Sequence, residues 1–445
     1  MTESQVDDSF RKVLRWFGDL SGLVVVVPWS TNIGNLAEDI RLGLAAAHRE
    51  NRRLFLLFQY HYPWPIRRLL AKRGFARSRG LPNAVFHLEM NGVYGWRNKW
   101  LFILRNSVFT LFVWMVVAGR LIKRVTRGGE FALNDLFPNT GVTELSLPNR
   151  RRQKFNWDDV QAMQWNKFGN MDFGISLKTR SRRRLENSAL QLGLPPDSWF
   201  VCLHVREGGF RSDTTSTRNC SLSNYLLAIS EVTSRGGWVV RLGDPTMTPL
   251  PKLDRVIDYA HSPLRNTATD LYLISRCRMY LGVQSGPWDV AKLLNKHVVL
   301  TNCDMLSHHL GNRESLFIPR MVSYKGQGRK LSIWELVDYW YSLPELGLPG
   351  SQTSYPTSVF DVYENSPHEI QEIVAEYFDR ADLEPSSGQL DISEYLRTTA
   401  KSQILNNACG YSDGFRFHLA QWSESTRCFL ARSFIDPSPP THAER

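Results

Sequence analysis

The sequence predicts an α/β protein of two doubly wound domains, and three observations carry that expectation. At 445 residues the chain is longer than one hydrophobic core usually supports. Short, wholly apolar runs alternate with helical patterns in both halves, as expected of parallel strands buried between helix layers. A composition of 42% hydrophobic and 22% charged residues is that of a packed globular protein, not a disordered or fibrous one.

In the N-terminal half, Phe10, Val13, Leu14 and Phe17 stand at helical spacing and predict a short amphipathic helix within residues 1–20. The β-branched run 22–28 reads as a strand, Trp29 to Asn35 as a polar turn, and Leu36 to Arg49 as a helix. Runs 53–58 and 84–88 read as two further strands. Residues 107–119 carry no charge, but about 20 Å of helix is too short for a ~30 Å hydrocarbon layer. Either a buried core helix or an in-plane membrane patch fits them. Periodicity is poor over 125–195, so that stretch is expected to be loops and short helices around the domain seam.

The C-terminal half alternates more clearly. Strands are expected at 199–205, 237–242, 256–259, 279–283 and 297–300, with helices at 222–234, 270–276 and 288–294. Ser366-Pro-His-Glu369 is a capping box with proline at the first helical position, and Ile370, Ile373, Val374 and Tyr377 supply the apolar stripe that follows. The expected domains are 1–20 (amphipathic helix), 21–190 (acceptor side), 191–350 (nucleotide side) and a helical extension, 351–445, packing back on the body.

Net charge is +11, with basic runs at Arg67, Arg68, Lys72, Arg73, Arg77 and Arg79, at Arg150 to Arg152, and at Arg180 with Arg182 to Arg184. Such runs are either solvated faces or attract phosphates and acidic lipids. They lack an RNA-recognition or helix-turn-helix signature, so nucleic acid is not the expected partner. Cys202, Cys220, Cys277, Cys303, Cys409 and Cys428 show no zinc-ligand spacing and read as reduced thiols. The first twenty residues do not form a secretory signal. A cytoplasmic protein is expected, with peripheral contact at the inner face of an anionic cell membrane.

In doubly wound sheets ligands sit at the carboxyl ends of strands, and there the C-terminal half places polar groups. His204, Arg206 and Glu207 follow its first strand, Arg241, Gly243 and Asp244 the second, and Gln284, Ser285 and Gly286 the strand at 279–283. A guanidinium fork can grip a diphosphate, and Ser285 and Gly286 open a helix whose N-terminus favours phosphate. For Asp244 and Asp258 a turn or cap role is the plainer alternative.

The segments PPDSWFVCLHVREGGF, GGWVVRLGDPTMTPLP, VIDYAHS, DLYLISRCRMYLGVQSGPWDVAKLLNKHVVLTNCD and FIPR, between Leu194 and about Met321, resemble a bacterial family of glycosyltransferases associated with surface polysaccharides. Their layout is similar to the wider fucosyltransferase superfamily. The resemblance implies a GT-B-like fold, two Rossmann-like domains facing a central cleft. It implies a diphosphate contact for Arg206, a supporting one for His204, and a match of Gln284-Ser285-Gly286 to that superfamily's later turn. The turn Asn32-Ile33-Gly34-Asn35-Leu36 resembles the Gly-x-x-Gly-Asn turn of those enzymes, with Thr31 in place of the first glycine, and would form an acceptor-side loop. Just beyond it, Glu38 and Asp39 either complement the helix N-terminus or supply the general base.

These readings lead to a glycosyltransferase moving sugar from a nucleotide-sugar, GDP-sugars among the donors the resemblance admits, to a saccharide or lipid-linked saccharide acceptor. No Asp-x-Asp pair occurs, so metal-independent chemistry without a cofactor is expected, the leaving diphosphate being neutralised by arginine. The alternative is a non-catalytic nucleotide- or glycan-binding protein of the same fold.

Overall fold

The computed structural model describes residues 23–28, 33–49, 51–58, 85–95, 101–111, 115, 142–146, 152–155, 172–211, 216–303, 315–332, 335, 358–381 and 429–430. The expected N-terminal helix, the basic run at 67–79, Asn32, Cys409, Cys428 and most of the C-terminal tail lie outside them. The chain divides into two compact units, Met1–Val160 with Phe173–Ile175, and Gln161–Asp172 with Ser176–Arg445.

The first unit is built on β1 (Leu23–Val27), α1 (Ile33–Arg49) and β2 (Arg53–Leu56), with β1 and β2 parallel. Val24, Val25 and Val26 are buried, as a strand apolar on both faces requires. Leu36, Ile40 and Leu44 turn the apolar side of α1 onto the core. Gly43 permits that approach, since a Cβ there would come within 2.9 Å of Leu54 and Val26.

Three expectations for this unit are corrected. Residues 84–88 are not a strand but a 3-10 turn, Val85–His87, leading into the two-residue β3 (Leu88–Glu89). The helix begins at Ile33, so Gly34 and Asn35 belong to α1 rather than to a turn. Within 125–195, β4 (Val142–Ser146) and β5 (Arg152–Phe155) extend the sheet antiparallel, in the order β2-β1-β4-β5.

Residues 101–111 form a helix docked on the end of β2. Asn106, wholly buried, accepts from the Phe58 amide at 2.9 Å through Oδ1 and donates to the Phe102 carbonyl at 2.9 Å. Arg105 lies over the Phe55 ring at 4.2 Å and donates to the Leu56 carbonyl at 2.9 Å. Phe109 and Thr110 are buried, whereas Val108, Leu111 and Met115 are exposed, so the described part of the apolar run has one core face and one outward face.

The second unit opens with β6 (Ser176–Leu177) and α2 (Thr179–Gln191), a 13-residue helix of which only Leu185 and Ala189 are buried hydrophobics. Then come β7 (Phe200–His204), α3 (Leu226–Ser234), β8 (Trp238–Arg241), β9 (Val256–Ile257), α4 (Thr267–Arg276), β10 (Met279–Gly282), α5 (Gly286–Leu293), β11 (His297–Cys303) and β12 (Leu316–Pro319). A hairpin of β13 (Met321–Tyr324) and β14 (Phe360–Tyr363), then α6 (Pro367–Ala381) and β15 (Phe429–Leu430), complete it.

The large sheet is parallel throughout, in the order β15-β12-β11-β10-β7-β8-β9. All five residues of β7 are buried, which is why FVCLH reads as a continuous apolar run. The expected helix 222–234 starts as a 3-10 turn, Leu222–Tyr225, and becomes α3 only at Leu226. On α6, Ile370, Ile373, Val374 and Tyr377 join the core formed by Val201, Leu203, Ile229 and Val232. The capping box closes as expected: the Ser366 amide donates to Glu369 Oε2 at 2.6 Å and the Glu369 amide to Ser366 Oγ at 3.3 Å. Cys202, Cys220, Cys277 and Cys303 are buried free thiols.

Candidate functional site

Chain order in the large sheet reverses beside β7, with β8 and β9 on one side and β10, β11 and β12 on the other. Taking β7 as the first strand, the six run 3-2-1-4-5-6, and in doubly wound sheets a ligand crevice is expected where that order turns, here at the carboxyl ends of β7 and β10. These ends carry His204 to Glu207 and Val283 to Gly286.

The two strands approach very closely there. His204 is the ladder partner of Gly282, and the Val283 amide donates to the His204 carbonyl at 3.3 Å. Gly282 has φ +155°, and any Cβ on it would overlap the His204 carbonyl oxygen. A glycine inside an apolar strand is the sequence signal for such an approach, and it was legible in MYLGV.

His204 is 7% exposed, and its Nδ1 has no hydrogen-bond partner among the described residues. Burial, reinforced by the positive charge of Arg241, pushes its pKa down to about 4, so the imidazole is neutral near pH 7. A buried polar atom left unpaired calls for a functional explanation. Arg206 is less buried, and its Nη1 donates to Ser216 Oγ at 3.1 Å. On the β10 side, Gln284 is buried, and Ser285 Oγ lies 2.9 Å from the Tyr280 hydroxyl. Ser285 is the N-cap residue of α5, which directs the positive end of the helix dipole to this strand end.

The remaining strand-end residues are engaged within the protein. Arg241 is wholly buried and donates to Glu207 Oε1 at 2.9 Å, to Asp258 Oδ1 at 3.3 Å and to the Thr248 carbonyl at 2.7 Å. Glu207 Oε2 accepts from the Thr248 amide at 2.8 Å and its hydroxyl at 2.7 Å. Asp244 Oδ1 accepts from the Thr246 amide at 2.9 Å, and Asp258 Oδ2 from the Leu250 amide at 2.9 Å. These are turn-forming contacts, and together they brace the loop after β8. Gly243, at φ +148°, completes this loop. His204 and Arg206 are thus separated in kind from Arg241: one pair borders the crevice and the other residue ties its wall together.

Sequence reasoning missed Ser216, Thr246, Thr248 and Tyr280, which hold Arg206, Asp244, Glu207 and Ser285. Ser216 and Thr248 lie 10 and 41 positions from their partners and carry no local pattern, whereas Thr246 stands two residues after Asp244, the spacing of the turn expected there. In the first unit, Glu38 and Asp39 are 3% and 4% exposed, and Arg41 donates to Glu38 at 3.5 Å. They lie in the second turn of α1, whose first turn holds no acidic residue, and Gly34 and Asn35 precede them on the same helix. Among the described residues no three His, Cys, Asp or Glu side chains group as a metal-ligand set.

No family model matches the chain, and no curated protein matches it. Among solved structures it is similar to E. coli ADP-heptose LPS heptosyltransferase II, with 11% identity and a TM-score of 0.38 over 81% of this chain and 99% of that one.

Proposed function

We propose that this protein is a glycosyltransferase that moves a sugar from a nucleotide-sugar, held at the carboxyl ends of β7 and β10, to a saccharide or lipid-linked saccharide acceptor in surface polysaccharide biosynthesis. The observation that supports it best is the placement of Arg206, of the His204 imidazole, whose Nδ1 has no partner among the described residues, and of the N-terminus of α5 at the carboxyl ends of the neighbouring strands β7 and β10, where strand order reverses.

In this reading the diphosphate lies between Arg206 and the α5 N-terminus, and His204 offers an uncharged hydrogen-bonding nitrogen to it. The bond from the anomeric carbon to the diphosphate oxygen breaks, and the electron pair leaves on a diphosphate whose charge Arg206 stabilises. The acceptor hydroxyl oxygen bonds to the anomeric carbon and gives its proton to a general base. Fixed positive groups do the work that a divalent cation does in other transferases, so the transfer is metal-independent.

Calorimetric titration of the metal-free protein with GDP, UDP, CMP, ADP and dTDP tests this. Selective binding of one nucleotide, lost at least about ten-fold in Arg206→Ala, supports the site. Binding of none, or undiminished binding by the variant, overturns it. Activity abolished by EDTA and restored by manganese would remove the metal-independent part.

A further inference from the structure

We propose that the outward face of helix 101–111 docks this protein on a lipid surface bearing acidic headgroups. Leu101, Leu104, Val108 and Leu111 are 54%, 62%, 42% and 60% exposed. Their steps of three and four residues confine them to an arc of about 80° on a helix of 3.6 residues per turn. The opposite face is already packed through Phe102, Asn106 and Phe109. The stripe is therefore a second apolar face, at a place where a solvated helix carries polar side chains.

The charge of the surrounding chain points to the occupant. Residues 51–129 hold 15 Lys and Arg against one acidic residue, Glu89, whereas the other 366 residues hold 39 basic and 42 acidic residues. All of the protein's net positive charge thus resides in the segment that carries the stripe. Arg120, Lys123, Arg124 and Arg127 follow it directly in sequence. An apolar helix face with adjoining cations is the combination that lies in the plane of an anionic bilayer. No helix among the described residues is long and apolar enough to cross a membrane. A second copy is the less favoured occupant, because two-fold pairing through the stripe would bring two strongly basic segments together.

Co-sedimentation of the full-length protein with vesicles tests the proposal independently of the nucleotide site. Vesicles of phosphatidylcholine alone are compared with vesicles containing about one third phosphatidylglycerol, at low and high salt. The expected result is partition onto the acidic vesicles that falls about ten-fold or more without phosphatidylglycerol and weakens in high salt. The double variant Leu104→Glu/Leu111→Glu is expected to bind at least about ten-fold less with an unchanged thermal midpoint, both side chains being more than half exposed. Absence of partition, or equal partition by the double variant, overturns it. So does a concentration-dependent dimer that the double variant abolishes while vesicle binding persists. Arg206→Ala is expected to leave vesicle binding intact, so failure of this inference and failure of the nucleotide site are read separately.

Discussion

His204 and Gly282 face each other across the β7–β10 ladder so closely that a side chain on Gly282 would overlap the His204 carbonyl oxygen. The backbone beneath the crevice is therefore built around the absence of one Cβ. Gly282→Ala is expected to destabilise the protein by about 3 kcal/mol, from backbone strain at φ +155° together with separation of the two strands. Denaturant unfolding would read this as a lower midpoint. A midpoint equal to that of the parent would show that the ladder opens freely.

Arg206 and Arg241 both follow apolar strand residues, but the structure gives them different work. Arg241→Met leaves Glu207 and Asp258, 18% and 20% exposed, without their shared cation, and is expected to cost about 3 kcal/mol. Arg206→Ala is expected to lower nucleotide affinity at least about ten-fold while costing less stability than Arg241→Met. Thermal unfolding and calorimetry on both variants decide the matter. An Arg241 variant of full stability, or a strongly destabilised Arg206 variant, would exchange the two roles.

The contrast shows how far the sequence could be read. Strands β7, β10 and β11 of the second unit were legible because they lie between helix layers and are apolar on both faces. β4 and β5, VTELS and RQKF, carry too few apolar residues to announce themselves, and β4 joins the sheet by pairing with β1, more than a hundred residues away. α2 escaped notice because only Leu185 and Ala189, one turn apart, are buried hydrophobics, leaving no stripe to detect. Arg206 and His204 could be placed at a strand end because that is a place defined by the fold class. The inward turn of Arg241 was not, because Glu207 and Asp258 stand 34 and 17 positions away and no local pattern links them.

Asn106 is a single polar side chain that joins the helix at 101–111 to the chain beyond β2. Replacing it by alanine leaves the buried Phe58 amide without its acceptor, with an expected loss of about 2 kcal/mol. Hydrogen exchange should show faster opening at Phe58 in the variant. Unchanged protection there would mean that the aromatic packing of Phe102 on Phe58 and Phe86, with ring centroids 5.4 and 4.5 Å apart, suffices to hold the helix.

The buried imidazole of His204 makes stability depend on pH with a definite sign. Its pKa in the folded protein is about 4, against an ordinary value of 6.5. Above pH 6.5 the group is neutral in both the folded and unfolded chains and has no effect. Between 6.5 and 4 the unfolded chain binds a proton that the folded one refuses, so stability falls on acidification, and below 4 the loss is complete. At 1.36 kcal/mol per unit the total is about 3 kcal/mol. Asp270 works the other way, because burial raises its carboxyl pKa to about 6 and stability is lost as pH rises from about 4 to 6. A raw stability profile would therefore mix the two contributions. The quantity to measure is the difference in unfolding free energy between the parent and His204→Gln at pH 7.5, 6, 5 and 4. That difference should shift against the parent by about 3 kcal/mol across the series. A flat difference would show that the His204 ring takes up its proton in the folded protein, and with it would go the uncharged nitrogen assigned to the diphosphate.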